Sequence, residues 1–246
     1  MPASYRVFWD TKVGNTAEEY EDAFGSDVED QPRSEMRYAV ADGATESSYS
    51  RHWAQLLVDA YGAGATAPTK LVRRLPALQV AWREEHQRPD LPWFAAEKLA
   101  LGAFAALLGI RLIEGPDGFR LHAMAAGDCE LVVVRGESLH LAWPVLRSVD
   151  FGSNPVLLSS VAPAMSQRTM IRGRRLQLQP SDTVLLMTDA IAAWFLSQAE
   201  SGGKPWHVLG DFAPTDADAF RTWVRELRSG GAMRNDDVTV AILDVT

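Results

Sequence analysis

Apolar and polar positions along the chain change period several times, and those changes predict the elements. Two apolar runs, Tyr5–Trp9 and Arg37–Ala41, flank a polar, acidic stretch and predict two strands joined by a loop. After Asp42-Gly43 the spacing becomes helical: Trp53, Leu56, Leu57, Ala60 and Tyr61 share one face, with Ser47 or Ser48 as a cap and Gly62-Ala63-Gly64 as a stop. A poorer helical pattern follows through Leu71, Leu75, Leu78 and Trp82, with Pro76 expected to interrupt it. Between residues 95 and 108 the Ala/Leu content favours helix, while Gly102 and Gly109 weaken any helix that runs through both.

From Phe119 onward strand signals dominate. Arg120–Ala125 is one run; Leu131–Val134 and Leu139–Trp143 form another pair across the turn Arg135-Gly136-Glu137-Ser138. Leu176–Leu178 and Val184–Met187 repeat that design around Gln179-Pro180-Ser181-Asp182. Ile191, Trp194, Phe195 and Gln198 predict a short helix, and Phe220, Trp223, Val224 and Leu227 a longer one, with Asp216 and Asp218 near its start and Gly230 past its end. Val238–Val245 closes the chain as a strand. Hairpin-like pairs with helices in two blocks point to an α+β arrangement of antiparallel sheets covered by helices. The nearest approach to a phosphate loop, Gly62-Ala63-Gly64-Ala65, follows a helix rather than a strand, which argues against nucleotide binding. With 246 residues, no internal repeat and no linker, one domain spanning 1–246 is expected.

Charge and cysteine usage narrow the function classes. Lys and Arg number 24 against 32 Asp and Glu, a net charge of −8, which disfavours nucleic acid and anionic membrane as partners. The single cysteine, Cys129, allows no intrachain disulfide and no cysteine zinc cluster, and is read as a small buried residue. Without an apolar leader at Met1–Asp10, or any apolar run near the roughly 20 residues of a membrane span, a cytoplasmic location is expected. The five histidines contain no i, i+4 pair, so each is read as structural or solvated. The same holds for Arg172, Arg174 and Arg175, read as a solvated hairpin arm, and for Trp53, Trp194 and Trp223, read as core.

The candidate chemistry lies in the acids. Asp42 ends the run Tyr38–Ala41, Asp128 follows Leu121–Gly127, Asp189 follows Val184–Thr188, and Asp236-Asp237 precede Val238–Leu243. One aspartate at a strand end is ordinarily a turn former. Several gathered at adjacent strand ends repel one another unless a cation neutralises them. With Glu21-Asp22 added, the chain offers an all-oxygen ligand set, which suits Mg²⁺ or Mn²⁺.

These residues, taken in order, resemble the metal-dependent PPM (PP2C-type) Ser/Thr protein phosphatases in their compact bacterial form. Four short motifs carry the resemblance: Glu21-Asp22-Ala23-Phe24, Val40-Ala41-Asp42-Gly43, Ala126-Gly127-Asp128-Cys129, and Met187-Thr188-Asp189 followed by Asp236-Asp237-Val238-Thr239-Val240. The resemblance implies a four-layer α-β-β-α sandwich with two Mn²⁺ or Mg²⁺ ions at one end, and hydrolysis of phospho-Ser/Thr by a metal-activated water without a phospho-enzyme. By position, Asp42 matches the acid bridging both ions, Gly43 offers its carbonyl, Asp22 serves the second ion with Glu21 beside it, and Asp189 and Asp236 serve the first, with Asp237 adjacent. Asp128 matches an aspartate expected to be structural. The implied partner is a phosphorylated protein, with a Ser/Thr kinase or its target as candidates, and the implied state is a monomer.

Departures from the pattern weigh on activity. Ala17 and Glu18 stand where relatives often place a phosphate-holding Arg, leaving Lys12 as the nearest substitute, a point charge rather than a bidentate clamp. Ala44 replaces a His proposed as general acid in eukaryotic relatives, Thr45-Glu46 replaces a glycine pair, Ala190 replaces a Gly, and Ala193, where a third ion's acid would fall, cannot ligate. Two readings therefore stand: an active phosphatase, and a catalytically weak or inactive regulatory domain that binds a signalling partner. Hydrolysis of a small phosphorylated metabolite on the same scaffold is a third.

Overall fold

The computed structural model describes residues 4–27, 35–44, 49–88, 92–116, 118–152 and 155–245. Ser47, Ser48 and the Thr45-Glu46 pair lie outside them. Eleven strands form among the described residues: β1 (Ser4–Asp10), β2 (Ala23–Ser26), β3 (Glu35–Gly43), β4 (Phe104–Gly115), β5 (Gly118–Ala126), β6 (Glu130–Arg135), β7 (Ser138–Trp143), β8 (Leu158–Ser159), β9 (Arg172–Gln177), β10 (Asp182–Met187) and β11 (Val238–Asp244). Six helices accompany them: α1 (Ser50–Gly62), α2 (Pro68–His86), α3 (Trp93–Leu101), α4 (Asp189–Glu200), α5 (Pro205–Gly210) and α6 (Ala217–Ser229). One sheet runs β1-β11-β10-β6-β7 and the other β2-β3-β4-β5-β9, with β8 on β4. Every pairing is antiparallel.

The central strands read as continuous apolar runs because both faces of each sheet are covered there. Tyr38, Val40, Leu108, Ile110, Leu131, Val133, Val184, Leu186, Ala241 and Leu243 point between the sheets. Their alternating neighbours point outward: Ala39, Ala41 and Leu107 pack beneath Trp53, Leu57 and Leu71 of α1 and α2, while Leu185, Met187, Val240 and Ile242 pack beneath Ile191, Phe195, Phe220 and Val224 of α4 and α6. The result is the expected α-β-β-α sandwich.

Several local expectations are corrected. The acidic stretch between the first two strands contains a further strand, β2, too short to show a period. Helix α2 runs through Pro76 without a break: Leu71 and Leu75 before the proline and Trp82 after it are all buried, so packing holds both halves while Pro76 stands exposed. The conflict over residues 95–108 resolves at Gly102, whose φ of 80° ends α3, with Gly109 inside β4. The turn at Gln179–Asp182 is no hairpin, since β9 pairs with β5 and β10 with β6 and β11. It carries the chain from one sheet to the other, and the arginines of β9 lie on a largely exposed edge strand. α5 carried no periodic signal.

Gly109 is fixed by packing rather than by backbone conformation. A Cβ there would come within 2.3 Å of the Tyr61 ring of α1. Gly109→Ala is expected to destabilise the protein by about 1–3 kcal/mol, because the buried Tyr61 has no room to retreat. A urea titration of the variant checks this.

Candidate active site

The acids converge at one end of the sandwich, where β2 pairs with β3 in one sheet and β10 with β11 in the other. Asp42 lies near the end of β3, Asp22 immediately precedes β2, Asp189 opens α4 just after β10, and Asp236-Asp237 lead into β11. Two threonines stitch this end together. Thr188 Oγ1 donates to Asp22 Oδ2 at 2.9 Å, Thr239 Oγ1 donates to the same oxygen at 2.7 Å, and the Thr239 amide donates to Thr188 Oγ1 at 2.9 Å. Tyr20 shares a very short hydrogen bond with the Thr239 hydroxyl. None of these three hydroxyls stood out in the sequence, since their partners lie far away along the chain.

Asp237 is committed to the backbone. Its carboxylate accepts the amides of Lys12 at 2.8 Å and Glu21 at 2.7 Å, binding the β1–β2 connection to the approach to β11. Glu21 in turn accepts from Lys12 Nζ at 2.8 Å and from Ser50 Oγ at 2.6 Å. Gly43 is closely packed: a side chain there would come within 2.8 Å of the Glu21 carbonyl and 2.9 Å of Ser50.

Electrostatics report the crowding. Asp22 and Asp42 are pushed well above the usual carboxylate range, first by burial; Asp237 and Asp189 add to the effect on Asp22, and Asp22, Asp189 and Asp236 to that on Asp42. Burial and then Asp189 raise Asp236. Asp128 is raised to about 6, by burial and then Asp189. Burial alone would depress the Lys12 ammonium, but the hydrogen bond and charge of Glu21, with Asp237 and Asp236 behind it, hold it above its ordinary value.

The donor chemistry fits a hard divalent cation. Asp22 Oδ1, Asp189 Oδ1 and Asp128 Oδ2 are buried carboxylate oxygens without a hydrogen-bond partner, a costly state unless a positive charge meets them. As the side chains stand, no three His, Cys, Asp or Glu among the described residues converge into a ready-made cage. A cation unforeseen in the sequence also stands here: Arg234 Nη2 is in direct contact with Asp189 Oδ2.

Beside the acids opens a groove of about 770 Å³ lined by Lys12, Glu21, Ser50, Arg51, His52 and His86. Two of the five histidines, which form no local pair in the sequence, meet here. His52 and His86 lie 34 residues apart yet meet at 2.9 Å between Nδ1 and Nε2, because α1 and α2 pack side by side. Glu97 and Lys98 are exposed on α3. Cys129 is buried and forms no disulfide, and burial raises its thiol well above the usual value. Trp53 and Trp194 are buried and Trp223 partly so, as core residues.

No protein-family model matches the sequence, and no curated protein is significantly similar to it. Solved structures are similar in fold. PppA, a key regulatory component of T6SS in Pseudomonas aeruginosa, superposes with a TM-score of 0.62 at 16% identity over 100% of this chain and 99% of its own. The catalytic domain of the serine threonine protein phosphatase PstP, in complex with two manganese ions, gives 0.62 at 16% identity over 100% and 99%. The PPM Ser-Thr phosphatase MsPP from Mycobacterium smegmatis, in complex with cacodylate, gives 0.59 at 17% identity over 99% and 98%.

Proposed function

We propose that residues 1–246, which share the fold of the PPM/PP2C-type Ser/Thr phosphatases, form one PP2C-like domain acting as a metal-dependent protein Ser/Thr phosphatase. The observation that carries this reading is the gathering of Asp22, Asp42, Asp189 and Asp236 at one end of the sandwich, with buried, unpartnered oxygens on Asp22 and Asp189. These four side chains and the Gly43 carbonyl are the residues that would hold two Mn²⁺ or Mg²⁺ ions. When bound, such ions acidify water and neutralise phosphoryl charge.

The chain's own groups supply the rest. Thr188 and Thr239 fix one oxygen of Asp22, leaving the other directed away from the hydrogen-bonded pair. Asp237 locks the Lys12 and Glu21 backbone. Lys12, which lines the groove, is the candidate for holding substrate phosphate, at the expense of its pair with Glu21. A phosphorylated protein segment is the proposed substrate.

One observation favours a second reading, a weak or inactive domain that binds a signalling partner: a guanidinium occupies Asp189. The test is hydrolysis of p-nitrophenyl phosphate and a phosphothreonine peptide by purified protein with EDTA, Mg²⁺ or Mn²⁺. Asp42→Ala is expected to lower the metal-dependent rate by roughly a hundredfold or more, as for loss of several kcal/mol of transition-state stabilisation. Full activity in the variant would sink the ligand assignment. Absence of turnover in the wild type, with Mn²⁺ binding that Asp42→Ala abolishes, would put the second reading first.

A further inference from the structure

Arg234 stands two residues before Asp236 on the segment between α6 and β11, and its neighbours pin that segment in place. Met233 is buried. Asn235 accepts the Val13 amide at 2.7 Å and donates to the Val13 carbonyl at 3.2 Å. The Asp236 carbonyl accepts from the buried Arg228 at 2.6 Å, and the Asp236 amide donates to the Arg234 carbonyl at 3.1 Å. The backbone on both sides of Arg234 is therefore held, and the side chain is delivered to Asp189 by a fixed frame rather than by a free loop.

At its destination the guanidinium faces three carboxylates: Asp189 in direct contact, with Asp236 and Asp128 close enough to act on its charge. Asp189 sits in the first turn of α4, where the helix terminus already favours a negative charge. Its second oxygen, Oδ1, is buried and unpartnered, so one carboxylate is shared between a resident cation and a place for another.

We infer that Arg234 is a built-in competitor for the divalent cation at Asp189, setting the affinity of this site for metal. The inference rests on the reading of Asp189 as a metal ligand. A divalent ion arriving at Asp189 must displace a positive charge that occupies the same oxygen, or sit beside it against Coulomb repulsion. The guanidinium therefore lowers metal affinity, while in the absence of metal it compensates carboxylates that would otherwise repel one another. Removing it has opposite consequences in the two states.

The experiment is calorimetric titration of Mn²⁺ into the wild type, Arg234→Gln, Arg234→Lys and Asp189→Asn, paired with thermal melts in EDTA and in excess Mn²⁺. Arg234→Gln is expected to bind Mn²⁺ at least about tenfold more tightly than the wild type, equal to about 1.4 kcal/mol. Its Tm is expected to fall in EDTA and to rise further on Mn²⁺ addition than the wild type's, by linkage to the tighter site. Arg234→Lys, which keeps the charge, should stay near the wild-type affinity and guards against an effect of side-chain loss alone. Equal or weaker Mn²⁺ binding by Arg234→Gln, with binding still lost in Asp189→Asn, overturns the competition and leaves the metal site standing. No Mn²⁺ binding by any folded variant overturns the metal reading itself, and the competition with it.

Discussion

Replacing Asp10 with alanine is expected to destabilise the protein by about 3–5 kcal/mol, the magnitude for stranding one member of a buried ion pair. Asp10 ends β1 and is 2% exposed, and the Arg228 side chain that meets it at 2.8 Å from α6 is 3% exposed. The same guanidinium donates to the carbonyls of Thr11 at 2.8 Å and Asp236 at 2.6 Å. Without the carboxylate, a buried positive charge is left with neutral acceptors alone. Urea denaturation of Asp10→Ala, Arg228→Met and the double variant checks the point: the double variant should be less destabilised than the sum of the single ones. A loss below about 1 kcal/mol for Asp10→Ala would show that water reaches the pair. Because Arg228 also holds the Asp236 carbonyl, the loss should extend to weaker Mn²⁺ binding at the proposed site.

Glu130→Gln is expected to stabilise the protein, and the gain should grow with pH. Glu130 opens β6 with no exposed surface; Oε2 accepts the Val145 amide at 3.0 Å and Oε1 has no partner. Burial pushes its carboxyl up to about 9, only partly opposed by the Val145 and Trp143 amides. A folded-state value above the unfolded one means that the native state holds a proton the unfolded state releases. Stability therefore falls as pH rises from about 4.5 towards about 9. At about pH 7 the penalty is on the order of 3 kcal/mol, from 1.36 kcal/mol per pH unit. Glutamine retains an acceptor for the Val145 amide and removes the titration, so its stability curve should be flatter across this range. Parallel pH dependences for the two proteins in guanidinium melts would refute the burial account.

Much of this protein was written in its local patterns. The helical stripe of Phe220, Trp223, Val224 and Leu227 and the hairpin around Gly136 needed only neighbours a few residues away, and both formed as expected. The strand-ending aspartates were legible for the same reason: an acid closing an apolar run conflicts with its surroundings, and the conflict can be seen without the fold. What the tertiary structure alone decided involves partners far apart in sequence. Pro76 stays inside a helix because buried residues on both sides of it are packed. The turn at Gln179–Asp182 changes sheets because both sheets need covering on two faces, which no local pattern encodes. His52 meets His86, and Thr188 and Thr239 share Asp22, only once helices and strands are assembled. The arginines are the clearest case. In sequence Arg228 and Arg234 are two charges near the end of an amphipathic helix, where solvation is the ordinary expectation. Assembly buries one against Asp10 and sets the other on Asp189, because a cluster of carboxylates taken out of water must find positive charge somewhere.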